Sequence, residues 1–260
     1  MGESPALAEP VVSIVVATYN RCDRLRRCCE QTAANVGIPF ELIVVDGGSS
    51  DGTREWLAGR GGPDFRVILE PQREGATRAF NKGFRAARGR YVMWLNDDSV
   101  PLSGSVEAAV AMIERPDLAD VGMVALYHNH DRKWNRLDTI ERDGVSYSVY
   151  NVRGVVYANF GLLRRELLER LGYLDERYYF CAWDPDLSLK VQREAGLKVV
   201  GCREAIVFHE ELIDERKSAD TAIIEADNEK LFQKWQLPPK FSYPDPAPAY
   251  REMLETRNLL

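Results

Sequence analysis

Two acidic clusters and one histidine hold most of the reactive chemistry in this sequence. Asn96-Asp97-Asp98 follows the apolar run Tyr91 to Leu95. Adjacent carboxylates at a strand end repel each other unless a cation neutralises them; magnesium or manganese, completed by water and a diphosphate, is the natural partner. Taken alone, the triplet reads equally as a polar turn in which Asp98 or Ser99 caps the next helix. The second cluster, Trp183-Asp184-Pro185-Asp186, precedes the amphipathic stretch Leu187 to Val191. Asp186 has a structural explanation there, because a carboxylate at a helix N-terminus is stabilised by the macrodipole. Asp184 has none. Flanked by Trp183 and Pro185, with Tyr178, Tyr179 and Phe180 upstream, it sits in surroundings of the kind that raise a carboxyl pKa and make a general base. His209 ends the apolar run Ala205 to Phe208 and precedes Glu210 and Glu211. Neutral imidazole is a good ligand for a divalent metal, although a lone histidine there also reads as a half-buried turn residue.

Several other chemistries lack their signatures. Neither the loop after Val11 to Ala17 nor that after Phe40 to Val45 contains Gly-x-Gly-x-x-Gly, and the chain has no Walker-type phosphate loop and no Gly-x-Ser-x-Gly elbow. A dinucleotide dehydrogenase, a P-loop NTPase and a serine hydrolase are therefore disfavoured. The formal net charge of -6 removes the basic footprint of a nucleic-acid binder, so no nucleic-acid partner is expected. Five cysteines (Cys22, Cys28, Cys29, Cys181, Cys202) form no disulfide or zinc framework, which suggests a reducing compartment. No apolar run is long enough to span a bilayer and Met1 to Pro10 has no signal-peptide pattern, so the expected location is cytoplasmic, with a peripheral membrane contact left open.

The elements that must position these groups alternate. Val11 to Ala17 is a β-branched run that fits a strand buried on both faces, and Asn20 offers a cap for a helix from Arg21 to Ala34. Phe40 to Val45, Val67 to Leu69 and Tyr91 to Leu95 read as further strands, with helices over Thr53 to Ala58 and Ala76 to Ala87. Such βαβ units imply a parallel sheet whose strand ends bring Thr18 to Arg21, Asp46 to Ser49 and Asn96 to Asp98 to one edge. Beyond them come a helix over Ser103 to Glu114, strands over Val121 to Tyr127, Val145 to Val152 and Val155 to Leu163, a polar loop from His128 to Asp138, and helices over Arg165 to Leu171 and Asp186 to Glu194. Leu237 to Ala249 holds five prolines and reads as an extended strap before a terminal helix, Tyr250 to Leu259.

In this order, the segments Val12 to Arg21, Glu41 to Thr53, Gly75 to Gly83, Gly89 to Asp98, Leu171 to Tyr178 and Trp183 to Leu189 give the chain a resemblance to glycosyltransferase family two over residues 11 to 235. The resemblance implies an α/β GT-A fold, a mostly parallel twisted sheet flanked by helices. Residues 11–100 would form a Rossmann-like nucleotide-binding half and residues 101–235 a smaller acceptor half, between an N-terminal extension (1–10) and a Pro-rich tail (236–260). It implies that Thr18, Tyr19 and Arg21 embrace the donor's base and ribose, that Asp46 hydrogen-bonds the base, and that Asp97 lies near the ribose or sugar. Asp98 and His209 would hold Mg2+ or Mn2+, and Asp184 would be the catalytic base. Arg78 is a candidate for the diphosphate without matching a fixed family position. Asn96 stands where an acidic residue is frequent. Trp183 replaces an acidic neighbour of the base, retuning it or opening a stacking surface for the acceptor.

The implied reaction is metal-assisted single displacement with inversion, from a UDP-, dTDP- or GDP-sugar to a hydroxyl on a glycan, lipid-linked or small-molecule acceptor. Acceptor choice is expected in Tyr127 to Val152 and Asn159 to Phe180. A homodimer is left open. Two other readings compete: an inactive nucleotide-sugar or carbohydrate-binding protein of the same fold, and a sugar nucleotidyltransferase, whose Gly-rich, Arg-containing first loop is absent here.

Overall fold

The computed structural model describes residues 9–130, 135–210 and 221–260. Most of the N-terminal extension, the middle of the polar loop and Glu211 lie outside these residues. Strand β1 (Val12–Thr18) is an apolar run buried along nearly its whole length, as a strand covered on both faces requires. It pairs in parallel with β2 (Phe40–Asp46) and β4 (Tyr91–Asn96), and β3 (Phe65–Leu69) adds in parallel to β2. Thr18 stands opposite Asp46, and Ala17 opposite Asn96. One sheet edge therefore collects three loops that are far apart in sequence.

Helices α1 (Cys22–Asn35), α2 (Thr53–Ala58) and α3 (Ala76–Ala86) make the crossovers. The buried face of α1 is Leu25, Cys28, Cys29 and Thr32, and that of α3 includes Ala79, Phe80, Gly83 and Phe84, at the spacing read from the sequence. Gly83 is required by contact: a Cβ there would collide with the Val15 side chain on β1. Asn20 does not cap α1. Its backbone is left-handed (φ 52°) and its Oδ1 accepts the Ser50 N–H, while Asp51 accepts the N–H of Cys22 at the helix start. The two loops clasp each other, a pairing that local spacing cannot reveal.

The second half contains β5 (Ser99–Pro101), α4 (Ser105–Glu114), β6 (Val121–His128), β7 (Arg136–Arg142), β8 (Val145–Val152), β9 (Val155–Tyr157) and β10 (Gly161–Arg164). After these come α5 (Arg165–Arg170), α6 (Trp183–Leu189, continuing as a π turn through Glu194), β11 (Lys198–His209), α7 (Thr221–Trp235) and α8 (Ala247–Thr256). Among the described residues the main sheet runs β3-β2-β1-β4-β10-β6-β11-β5, and β8 leaves β6 to carry β7 and β9. Parallel pairing recurs between β6 and β11, and β10 is antiparallel to both neighbours.

Here the sequence reading needs correcting in detail. Val155 to Leu163 is two strands with different partners, because the chain turns at Ala158 to Phe160, where the Trp94 indole donates to the Asn159 carbonyl at 2.8 Å. The loop from His128 to Asp138 gives way at Arg136 to β7, which hairpins onto β8. Helix α7, unassigned in the sequence, presents only Asp227 and Leu231 as buried residues, a face too polar for hydrophobic periodicity. The Pro-rich strap returns to the domain: Tyr250 and Leu254 of α8 are buried, the Tyr250 hydroxyl accepts the Gly201 N–H at 2.7 Å, and Arg257 clasps Asp120 at 2.8 and 2.6 Å. Among the described residues no helix is long and apolar enough to cross a membrane.

Candidate active site

The loop after β4 brings Asp97 and Asp98 under the loop after β1. The Thr18 hydroxyl donates to Asp97 at 2.9 Å, and one Arg21 guanidinium nitrogen bridges Asp97 and Asp98 at 3.0 and 2.8 Å. These groups are buried, so the guanidinium offsets the repulsion between neighbouring carboxylates in a poorly solvated place. Asp98 turns its other oxygen to His209 Nε2, 3.0 Å away. Asn129 holds the backbone at the end of β11 that carries this imidazole, accepting the His209 backbone N–H at 2.7 Å and donating to its carbonyl at 3.0 Å.

The Asp98–His209 pair suits a divalent ion. An octahedral magnesium or manganese with bonds of about 2.1 Å keeps adjacent ligands about 3.0 Å apart, which is also their separation here. Arg21 occupies the opposite oxygen of Asp98, so the two interactions do not compete for one lone pair. Among the described residues no three His, Cys, Asp or Glu side chains gather as a metal cage. Magnesium held by one or two protein ligands commonly fills its remaining positions with water and substrate phosphate.

Above this cluster opens a cleft of about 250 Å³, lined by Thr18, Tyr19, Arg21, Asn96, Asp97, Asp98, Asp184 and His209 among others. The structure thus gathers most of the residues singled out in the sequence. Two stand elsewhere. Asp46 is fully buried and spends its carboxylate on the Gly48 and Ser49 amides and on Arg54 Nε at 2.8 Å; its neighbour Gly47 lines the cleft instead. Arg78 is half-exposed on α3, 3.6 Å from Glu176, and is not part of the lining.

Asp184 lies in the first turn of α6, since the chain turns at Ala182 (φ 65°) and the helix begins at Trp183. Trp183 is buried against Phe80 and Trp94, with ring centroids 4.7 and 5.5 Å apart, so most of the ring is packing beneath the cleft. Asp186 is no simple helix-end charge. It accepts the Tyr178 hydroxyl at 3.0 Å and the Trp235 indole at 2.7 Å and pairs with Lys234, tying α6 to α7. Burial pushes the Tyr178 hydroxyl pKa well up, and the Asp186 charge adds to this, so Tyr178 remains a donor.

Sequence reasoning missed three residues around this cleft. Glu70 and Arg73 line it, directly after β3; the same strand-end logic applied to β1, β2 and β4 points to them. Asp227, fully buried on α7, accepts the N–H groups of Tyr179, Phe180 and Cys181 at 3.0, 2.8 and 3.2 Å and so holds the loop that leads to Asp184. Asp227→Ala leaves those amides without this acceptor; with buried unpaired groups costing about 1–3 kcal/mol each, we expect a loss of about 3 kcal/mol in denaturant unfolding. A midpoint unchanged from wild type would remove this role from Asp227.

A parallel strand-loop-helix half, extended by a mixed sheet and carrying an acidic pair at the end of β4, defines the GT-A class of nucleotide-binding folds. The family model for glycosyl transferase family 2 matches residues 13–172, and the chain belongs to that family. It is 32% identical over 142 residues to the succinoglycan biosynthesis protein ExoO of Rhizobium meliloti, a match covering 55% of this chain and 37% of that protein. It is 26% identical over 214 residues to the uncharacterized glycosyltransferase YwdF of Bacillus subtilis, covering 80% and 78% of the two chains. Matches to three of the curated relatives span only 37%, 60% and 40% of those proteins' lengths. Among solved structures, the mannosyltransferase PcManGT of Pyrobaculum calidifontis, in complex with GDP-Man and Mn2+, superposes with a TM-score of 0.64 at 23% identity, covering 95% of this chain and 70% of that one.

Proposed function

We propose that this protein transfers a sugar from a nucleoside-diphosphate sugar to an acceptor hydroxyl, with inversion at the anomeric carbon. The observation that carries the reading is that Asp184 and the Asp98–His209 pair line one cleft. The mannosyltransferase with GDP-Man and Mn2+ supports a nucleotide-sugar donor and a divalent metal for this fold.

Thr18, Tyr19, Arg21 and Asp97 bind the nucleotide end of the donor, at the edge formed by β1 and β4. Asp98 and His209 would hold magnesium or manganese, which supplies positive charge against that developing on the departing diphosphate. Asp184 takes the proton from the acceptor hydroxyl as its oxygen bonds to the anomeric carbon. The bond from that carbon to the diphosphate oxygen breaks on the opposite face, and the nucleoside diphosphate leaves with the electron pair. One displacement completes transfer, so no second carboxylate nucleophile is needed.

Incubation with UDP-, GDP- and dTDP-sugars, Mn2+ and candidate acceptors tests this directly. We expect nucleoside diphosphate release with one donor, accelerated by acceptor, and a product of inverted anomeric configuration. Pyrophosphate exchange would instead indicate a nucleotidyltransferase, and binding without turnover an inactive module. Nothing in this reading requires a membrane anchor or a second protomer.

A further inference from the structure

We infer that α7 positions the catalytic base, and that Lys234 is its decisive positioning residue: by holding both ends of the segment from Asp175 to Asp186, its ammonium fixes where Asp184 stands in the cleft. This rests on the reading of Asp184 as the base.

The chain from Asp175 to Asp186 carries Phe180, Cys181, Trp183 and Asp184 into the cleft lining. On one side it rests on the start of α3, where a Cβ on Gly75 would stand 2.5 Å from the Tyr179 carbonyl, so the segment has no room to move that way. On the other side lies α7, which runs against the direction of the segment. The Ile224 carbonyl accepts the Cys181 thiol at 3.7 Å, and Asp227 accepts the amides of Tyr179, Phe180 and Cys181. Lys230 donates to the Arg177 carbonyl at 2.7 Å, and Lys234 reaches Asp175 at 2.9 Å. These residues recur at helical spacing and so share one face. A helix kept for its apolar stripe buries hydrophobic residues along such a face, whereas α7 buries only Asp227 and Leu231. The face is instead a row of polar grips on a single segment.

Lys234 closes that segment. Its Nζ lies 2.9 Å from Asp175 and 2.7 Å from Asp186, and the neighbouring Trp235 indole donates to the same Asp186 oxygen at 2.7 Å. Asp186 is fully buried. Removing the ammonium leaves this carboxylate without its paired charge, and a buried unpaired charge is relieved by rearrangement or by protonation. Asp184 and Asp186 share the first turn of α6, so a shift of one carries the other. None of Asp175, Asp186, Lys234 and Trp235 lines the cleft, so they reach the reaction only through the side chains they place. A displacement of about 1 Å at a reacting group can cost about 10²-fold in rate.

The test is a double-mutant cycle on the full chain, below the unfolding transition of each variant. Turnover is read as nucleoside diphosphate released from UDP-, GDP- and dTDP-sugars with Mn2+ and candidate acceptors, and donor-site binding by titration with UDP, GDP and dTDP. We expect Lys234→Met to lower kcat by about tenfold or more while nucleotide affinity stays within about twofold of wild type. Added to Asp184→Asn, it should lower turnover by no more than about a further twofold, because both changes act on one step. If Lys234→Met does not fold, Trp235→Phe removes the indole donor from Asp186, keeps an aromatic ring, and carries the same cycle with an expected fall in kcat of about fivefold or more. The inference is overturned if kcat falls by less than these amounts, if nucleotide affinity falls with it, or if the losses multiply in the double variant; α7 would then stabilise the fold without placing the base. Wild-type turnover in Asp184→Asn would instead overturn the base assignment, and no release from any donor by the wild type would overturn the transfer reading; either result takes this inference with it.

Discussion

Asp184→Asn is expected to leave donor binding nearly intact while lowering turnover by about 10² to 10⁴-fold, the usual contribution of a positioned general base. The substitution keeps the shape of the side chain, and the helix around it is held by other groups: the Ser188 hydroxyl donates to the Asp184 carbonyl at 2.9 Å, and Asp186 anchors the same turn to Tyr178 and Trp235. Asp186 cannot stand in as the base, since it is fully buried and engaged by those donors and by Lys234. Steady-state kinetics separate the outcomes. A fall in kcat at constant donor KM supports the role, whereas wild-type kcat in the variant would falsify it.

Asp98→Ala is expected to abolish the metal dependence of donor binding. The residue joins two otherwise separate features, directing one oxygen to His209 and the other to Arg21. Its removal takes away one of two candidate ligands, and Arg21 is left to Asp97 alone at this acidic pair. Donor affinity in Mn2+ should fall by about 100-fold or more, to the level measured with a chelator, because perturbing even the outer shell of metal ligands typically costs 10–100-fold. Nucleotide titrations with and without Mn2+ decide it. An affinity indifferent to metal in the wild type would remove the metal site from the mechanism.

The two variants probe two acids that line one cleft, and they differ in how the sequence alone pointed to them. The acidic pair was singled out because it follows an uninterrupted apolar strand, although taken alone it read equally as a polar turn. Asp184 was singled out by elimination within its cluster, and the structure places it in the lining of the cleft. The duty assigned to Asp186 was incomplete: it does stand in the first turn of α6, but its partners Trp235 and Lys234 lie on α7, about fifty residues downstream, and no local pattern connects them. Glu70 and Asp227 were missed for related reasons. A single acid after a short strand looks like any solvent-facing turn residue, and an acid inside a polar helix looks like part of its wet face. Burial gives each its meaning, and burial is set by what packs across the chain.

Local chemistry therefore determined the strand-helix alternation of the first hundred residues, the buried faces of α1 and α3, and the edge at which Thr18, Asp46 and Asn96 converge. These depend on side-chain periodicity and on the direction of parallel strands, both of which are written within a few residues of each other. Tertiary structure decided which members of that edge face the cleft. It turned Asp46 inward onto its own loop, left Arg78 outside, put Glu70 and Arg73 in the lining, and brought His209 within 3.0 Å of Asp98 across 111 positions of sequence. The reason is physical: a carboxylate's hydrogen-bond partners and its access to a ligand are set by long-range packing, to which its sequence neighbours contribute only part.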